Sequence, residues 1–297
     1  MDITQIGPTN GDWHFVGEVS GIDLTRPITA AQAAAIEAGM DRYGVLVFHD
    51  QHFTDAQQVA FSEHFGALEA GVSNVTKPQD RRLSLNIADI SNLDKNNELL
   101  GRDDKRRMFN LGNMLWHSDS SFKATPAKYS LLSGRAVPAT GGETQFADMR
   151  AAYDSFPDDI KSLIEPMLTE HSLLYSRALL GFTEFDAEER LAFTPVLQRL
   201  VRTHPATGRK SVFLSSHIGM IRGMPVPEAR MLIRDLTEAA THPDFVHTHR
   251  WRAGDLVVWD NRATMHRARR YADTTEIRDM RRTTVEGTPT VMQQAAE

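Results

Sequence analysis

The stretch GNMLWHSDSSF (112–122) carries a histidine and an aspartate two residues apart, His117 and Asp119. In extended backbone, side chains at i and i+2 point the same way. A neutral imidazole beside a carboxylate is half of a metal site, or else a hydrogen-bonded surface pair. Taken alone, the pattern H-x-D occurs by chance. It becomes informative when a distant histidine completes a set of two histidines and one carboxylate. That set suits Fe(II) and leaves three adjacent coordination positions open. His266 is the candidate. It follows the strand-like DLVVWD and Asn261, 149 residues beyond His117, so only a folded barrel brings the two together. Most of the 12 histidines give no such signal. His247 and His249 alternate in FVHTHRW, but the nearest carboxylate, Asp244, falls on the other face, and they are read as structural.

Arginines follow the candidate ligand: Arg267, Arg269, Arg270, Arg278, Arg281 and Arg282. A charge run of this kind is ordinarily a solvated face or a nucleic-acid patch. The chain is acidic, with 33 Lys and Arg against 39 Asp and Glu and a formal charge of −6, which argues against nucleic acid as a partner. The other reading is that one or two guanidiniums point inward and hold a carboxylate through paired hydrogen bonds. On a strand, Arg278 and Arg282 share a face and Arg281 points away.

Elements must hold these residues in place. ITAAQAAAIEAGMDRYG (28–44) has helical periodicity and a glycine stop, VLVF (45–48) is a buried strand, and TDAQQVAFSEHFG (54–66) is a second helix with Thr54 as N-cap. Residues 91–111 are polar and aperiodic, and are expected to form a long, lid-like loop. After residue 127 short β-like runs dominate: KYSLLSGRAV, ETQFA, HSLLY, RLVRTH, SVFLSSH, FVHTHRW and DLVVWD. Two helices, 148–156 and 227–241, interrupt them. The pattern predicts one mainly β domain over 1–297 with flanking helices, either a helix-buttressed β-barrel or a jelly roll (double-stranded β-helix). No apolar run reaches membrane-spanning length, no secretory leader is recognised, and there is no cysteine, so a cytoplasmic protein is expected. Homo-oligomerisation is left open.

LWHSDSSF, GGETQFADMRAAYD, LVRTHPATGRK, GDLVVWDNRATMHRARRY and RDMRRTT, in this order, resemble the Fe(II)- and 2-oxoglutarate-dependent dioxygenases of the taurine and 2,4-dichlorophenoxyacetate dioxygenase family. The likeness runs from about VGEVSGIDL (16–24) to TTVEG (283–287). ADISN, RALLG and HRARRY tilt it toward the 2,4-dichlorophenoxyacetate branch. The resemblance implies that His117, Asp119 and His266 bind Fe(II), and that Thr144 and Arg278 hold the distal carboxylate of 2-oxoglutarate. It implies further that Arg282 holds the substrate's acid group and that Asn113 lines the substrate pocket. Asn74 falls where a basic substrate contact is expected, and Met220 where a histidine is expected; His204 and His217 remain as pocket candidates.

The implied reaction consumes O2 and 2-oxoglutarate, releases succinate and CO2, and hydroxylates the carbon beside the ether oxygen of an aryloxyacetic acid. The product would collapse to a phenol and glyoxylate. The implied partner is a small anionic aromatic molecule. The same chemistry on a sulfonate or another carboxylic acid is the nearer alternative. A zinc hydrolase, which would turn over without oxygen, and a non-catalytic jelly-roll binding protein are the more distant ones.

Overall fold

The computed structural model describes residues 1–9, 14–70 and 81–289. Asn74 lies outside the described residues.

In chain order the first elements are strands β1 (Asp2–Gln5) and β2 (Gly17–Ser20), helix α1 (Ala30–Tyr43), strand β3 (Val45–Phe48) and helix α2 (Asp55–Ser62). Both helices begin at a capping box, Thr29 with Gln32 and Thr54 with Gln57, which satisfies amide groups the first turn leaves open. α1 ends where Gly44 takes φ +70°, and the chain then enters β3 directly. Strand β4 (Ala88–Asp89), helix α3 (Lys105–Asn110), strand β5 (Ala127–Ala136), strand β6 (Thr144–Asp148), helices α4 (Met149–Ser155) and α5 (Asp158–Ile164) and strand β7 (Leu168–His171) follow. Next come helices α6 (Leu173–Ala178) and α7 (Ala187–Ala192), strands β8 (Val196–Arg199), β9 (Val201–Thr203), β10 (Lys210–Val212) and β11 (Ile218–Ile221), and helix α8 (Val226–Ala240). Strands β12 (Val246–His249), β13 (Leu256–Asp260), β14 (Thr264–Ala268) and β15 (Asp279–Glu286) complete the described fold.

Seven strands form the main sheet in the order β1-β2-β3-β13-β5-β15-β4, which joins the N-terminal strands to the C-terminal one. Three-stranded sheets β12-β6-β14 and β11-β7-β8 and the hairpin β9-β10 complete the strand set. This is the jelly roll with flanking helices, one of the two architectures that the strand pattern predicts.

Alternation decides which residues meet inside. Leu46, Phe48, Tyr129, Leu131, Leu256 and Val258 pack with α1 and α2 on one face of the main sheet. Their neighbours Val45, Val47, Leu132, Val257 and Trp259 face the interior, where they meet Phe146 of β6 and Met280 of β15. Each such fully buried aliphatic side chain contributes roughly 1.5–3 kcal/mol by leaving water. On β14, Met265 packs outward into the cluster around α4 and α8, and His266 turns inward opposite Phe146. Strand register therefore aims one predicted ligand at the interior.

Three expectations need correction. HSLLY was read as a strand, but Leu173–Ala178 is helix α6, capped by Ser172. α5 and α7 were not foreseen; each is under two turns, too short to show a period of 3.6 residues. The last third of the loop at 91–111 is helical, with Asp104 capping α3 and a 3-10 turn running on to Met114.

Candidate active site

His117 forms a one-residue antiparallel bridge with His266: its N–H donates to the His266 carbonyl at 3.0 Å, and its carbonyl accepts from the His266 N–H at 2.9 Å. This single pairing spans the 149-residue separation. It also sets the two imidazoles side by side, tilted by 48°, with ring centroids 4.2 Å apart. Asp119 opens the turn that follows. Its carboxylate lies between the rings, Oδ1 3.8 Å from His117 Nε2 and Oδ2 3.7 Å from His266 Nε2. All three residues are buried, and their ligand atoms lie within 4.8 Å of one another.

The protonation states suit a cation. His117 Nδ1 donates to the Leu115 carbonyl at 2.8 Å, so the lone pair is on Nε2, the nitrogen nearest Asp119. Burial pushes both ligand histidines below their ordinary pKa and keeps them neutral. Burial alone would raise the Asp119 pKa, but Arg282, His266 and His117 together hold it well below the carboxylate range. The Asp119 carboxylate is further fixed by Ser130, whose hydroxyl donates to Oδ2 at 2.7 Å. Asn261 accepts from the Asp119 amide at 3.0 Å and donates to Ser130 at 3.0 Å, and the Trp259 indole donates to the same Asn261 oxygen at 3.1 Å. Two neutral imidazoles and one oriented carboxylate fit a divalent transition metal with open positions.

Two cavities meet at this triad. One, about 380 Å³, is lined by His266, Trp259, Leu132, Thr144 and Arg278. Arg278 is 5% exposed and has no carboxylate beside it among the described residues; burial lowers its pKa to about 10. Its amide donates to the Asn92 side chain, and Asn92 in turn donates to the carbonyls of Asp273 and Glu276, which sets the path into β15. Thr144 accepts from the Trp251 indole at 2.9 Å, so its own hydroxyl proton is free to donate into the cavity. The glycines before it serve close approach: a Cβ at Gly141 would lie 2.4 Å from the Arg270 carbonyl.

The other cavity, about 250 Å³, is lined by Asp119, Phe109, Phe122, Leu173, Arg177 and His217. His117, Asn113 and Arg282 line both. Arg282 donates to Asp119 Oδ1 at 2.5 Å. Arg281 points away and pairs with Asp55 and Asp279, as the alternation predicts. His217 is held by Ser176 at 2.9 Å and packs its ring on Phe122.

Residues 2–284 match the taurine catabolism dioxygenase TauD, TfdA family. The chain belongs to this family. It is 44% identical over 273 residues to the alpha-ketoglutarate-dependent 2,4-dichlorophenoxyacetate dioxygenase of Burkholderia sp. strain RASC, covering 92% of each chain. It is 45% identical over 270 residues to the enzyme of the same name from Cupriavidus pinatubonensis strain JMP 134 / LMG 1197, with coverage of 91% and 94%. The crystal structure of AAD-2 in complex with Mn(II) and N-oxalylglycine superposes with a TM-score of 0.92 at 55% identity, over 98% of this chain and 99% of that one. As a TauD, TfdA family member, the chain is a 2-oxoglutarate-dependent dioxygenase that uses Fe(II), 2-oxoglutarate and O2.

The structure brings His117, Asp119, His266, Thr144, Arg278, Arg282, Asn113 and His217 to these two connected cavities. His204 is not among their lining residues. It is buried against Asp260, its Nε2 3.0 Å from Oδ2, because that carboxylate at the end of β13 needs a partner. His249 pairs with Asp255 at 3.0 Å, the acid that sequence distance to Asp244 concealed. Sequence reasoning missed Ser130, Trp251 and Arg177. Ser130 and Trp251 carry no local signal. Arg177 was visible only as part of RALLG, which suggested kinship without a role.

Proposed function

We propose that this dioxygenase hydroxylates the carbon beside the ether oxygen of an aryloxyacetic acid such as 2,4-dichlorophenoxyacetate, and that a phenol and glyoxylate result. The observation that carries the reading is the pairing of two cavities on one triad, the first with an unpaired cation and a free hydroxyl, the second with aromatic walls and cations.

His117, Asp119 and His266 would hold the Fe(II). When bound, it supplies oxygen activation coupled to decarboxylation of 2-oxoglutarate. Arg278 and Thr144 would take the distal carboxylate of 2-oxoglutarate: a buried guanidinium without a carboxylate partner is costly until an anion arrives. Arg282, shared by both cavities, would anchor the substrate's acid. Phe109, Phe122 and Leu173 would receive the aryl ring, with Asn113 and His217 completing the walls. Removal of water by these side chains favours the salt bridges within. A small anionic aromatic substrate and a cytoplasmic location belong to the same proposal. Among the described residues, no helix is long and apolar enough to cross a membrane.

Succinate and phenol release should be measured across aryloxyacetates, aryloxypropionates and sulfonates. The expected result is equimolar succinate and phenol from 2,4-dichlorophenoxyacetate, well above the rate with taurine. Faster taurine turnover, or succinate without phenol, would sink the substrate assignment and leave the reaction class standing.

A further inference from the structure

The proposed roles of Thr144, Arg278 and Arg282 leave a buried arginine of the substrate cavity without a task. Arg177, on α6, is 4% exposed and lines that cavity together with His117, Asp119 and Arg282. Its guanidinium lies 4.1 Å from the centroid of the Phe109 ring. Its Nη1 donates to the Ser176 hydroxyl at 3.1 Å, and its Nε, also buried, has no partner. No carboxylate within ion-pairing distance faces it among the described residues, and burial lowers its pKa to about 10. The fold makes room for it: a Cβ at position 112 would lie 2.2 Å from Nη1, so Gly112, five residues before His117, admits the guanidinium against the backbone.

A structural arginine is ordinarily paired with an acid or reaches water with its head group. Arg177 does neither. Of the other carboxylates lining the same cavity, Glu69 is already bound by Lys123 and Ser120 and Asp89 by Arg82 and Ser91. Arg282 is bound to Asp119. Arg177 is thus a buried cation of this cavity with unspent donors and no acid beside it among the described residues. Stacking on Phe109 holds the guanidinium plane fixed, which suits a planar carboxylate. Ser176 ties it to His217, whose Nδ1 lies 2.9 Å from the same hydroxyl, so the two cavity walls are set by one bond network.

We infer that Arg177 is a second anion-binding residue of the substrate cavity, sharing the substrate's acid group with Arg282 and selecting for anionic over neutral aryl ethers. The inference rests on the aryloxyacetate reading for the identity of the anion, and on the geometry for the site.

The test compares Arg177→Met and Arg177→Lys with the wild-type enzyme, loaded with Fe(II), in steady-state kinetics and in thermal unfolding. Methionine keeps the side chain's volume without its charge. The expected result for Arg177→Met is a KM for the aryloxyacetate raised at least 30-fold, a 2-oxoglutarate KM within twofold of wild type, and a Tm equal or higher. Removing a buried unpaired charge relieves a cost, whereas removing a packing residue adds one. Arg177→Lys should recover part of the KM, since it keeps the charge and loses the fork. An unchanged aryloxyacetate KM in Arg177→Met would overturn the inference. So would a lowered Tm accompanied by equal KM shifts for both substrates, which would mark Arg177 as a packing residue. If the wild-type enzyme oxidises only a sulfonate or a sulfate ester, the aryloxyacetate reading falls. The same KM comparison, made with that anion, then decides on Arg177.

Discussion

Among the described residues, histidine and carboxylate converge closely enough to grip an ion in two clusters: His117, Asp119 and His266, and Asp41, His204 and Asp260. By residue type they are near equals. They differ in what already fills them. Asp260 is fully buried and engaged at both oxygens, by Arg262 Nε at 2.9 Å and Nη2 at 2.6 Å and by His204 at 3.0 Å. Its charge is neutralised by a built-in fork, and the cluster acts as a clamp between the C-terminal end of α1, the β9–β10 hairpin and β13. Asp119 also meets an arginine, but Arg282 reaches one oxygen only, and the histidine nitrogens beside it face two cavities. A donor set becomes a metal centre when its lone pairs remain available and space adjoins them; where an internal cation consumes them, the same residue types make a structural ion pair.

The strongest way to break this contrast is to remove a ligand. His117→Ala, Asp119→Ala or His266→Ala should each lower oxygen-dependent turnover by more than about 10³-fold, about 4 kcal/mol, with the fold retained. Metal content and succinate release read the outcome, and near-normal activity in any one variant removes that residue from the triad. Asp260→Ala should do the opposite. It strands the half-buried Arg262 beside the buried His204 and should cost about 3–5 kcal/mol of stability in denaturant unfolding, with metal binding kept. Loss of bound metal at unchanged stability would make the second cluster the metal site.

Between the two cavities the contrast is finer. Arg278→Ala should raise the 2-oxoglutarate KM by the equivalent of roughly 2–5 kcal/mol, and Thr144→Ala by about 1 kcal/mol. A larger co-substrate defect in Arg282→Ala would mean the two arginines exchange roles. The smallest effect is on pH. Burial holds His171 and His217 well below their ordinary pKa. The unfolded chain binds protons at these sites below about pH 6.5, and the native state does not. Stability should therefore fall as pH drops below that value, by up to about 1.4 kcal/mol per unit for each histidine. His217→Gln should flatten the slope between pH 6.5 and 5; a slope unchanged in that variant would show that His217 takes up a proton in the folded protein.

Much of this was legible in the chain because it is carried by spacing. His117 and Asp119 share a side, Arg278 and Arg282 point inward with Arg281 outward, and α1, α2, α4 and α8 show their periodicity or their caps within short windows. Local geometry repeats every two or 3.6 residues, so the residue pattern alone specifies it. Other features were decided by packing across the fold. A single backbone bridge, His117 to His266, joins ligands that sequence can only nominate. Ser130 reaches Asp119 from a neighbouring strand, His204 is drawn away by Asp260, and Arg177 enters the cavity from a helix whose first residues read as strand. These outcomes depend on which strand lies beside which and on which buried charge finds a partner first. Both are properties of the closed barrel, where burial raises the stakes of every unpaired polar group, and neither has a local pattern to reveal it.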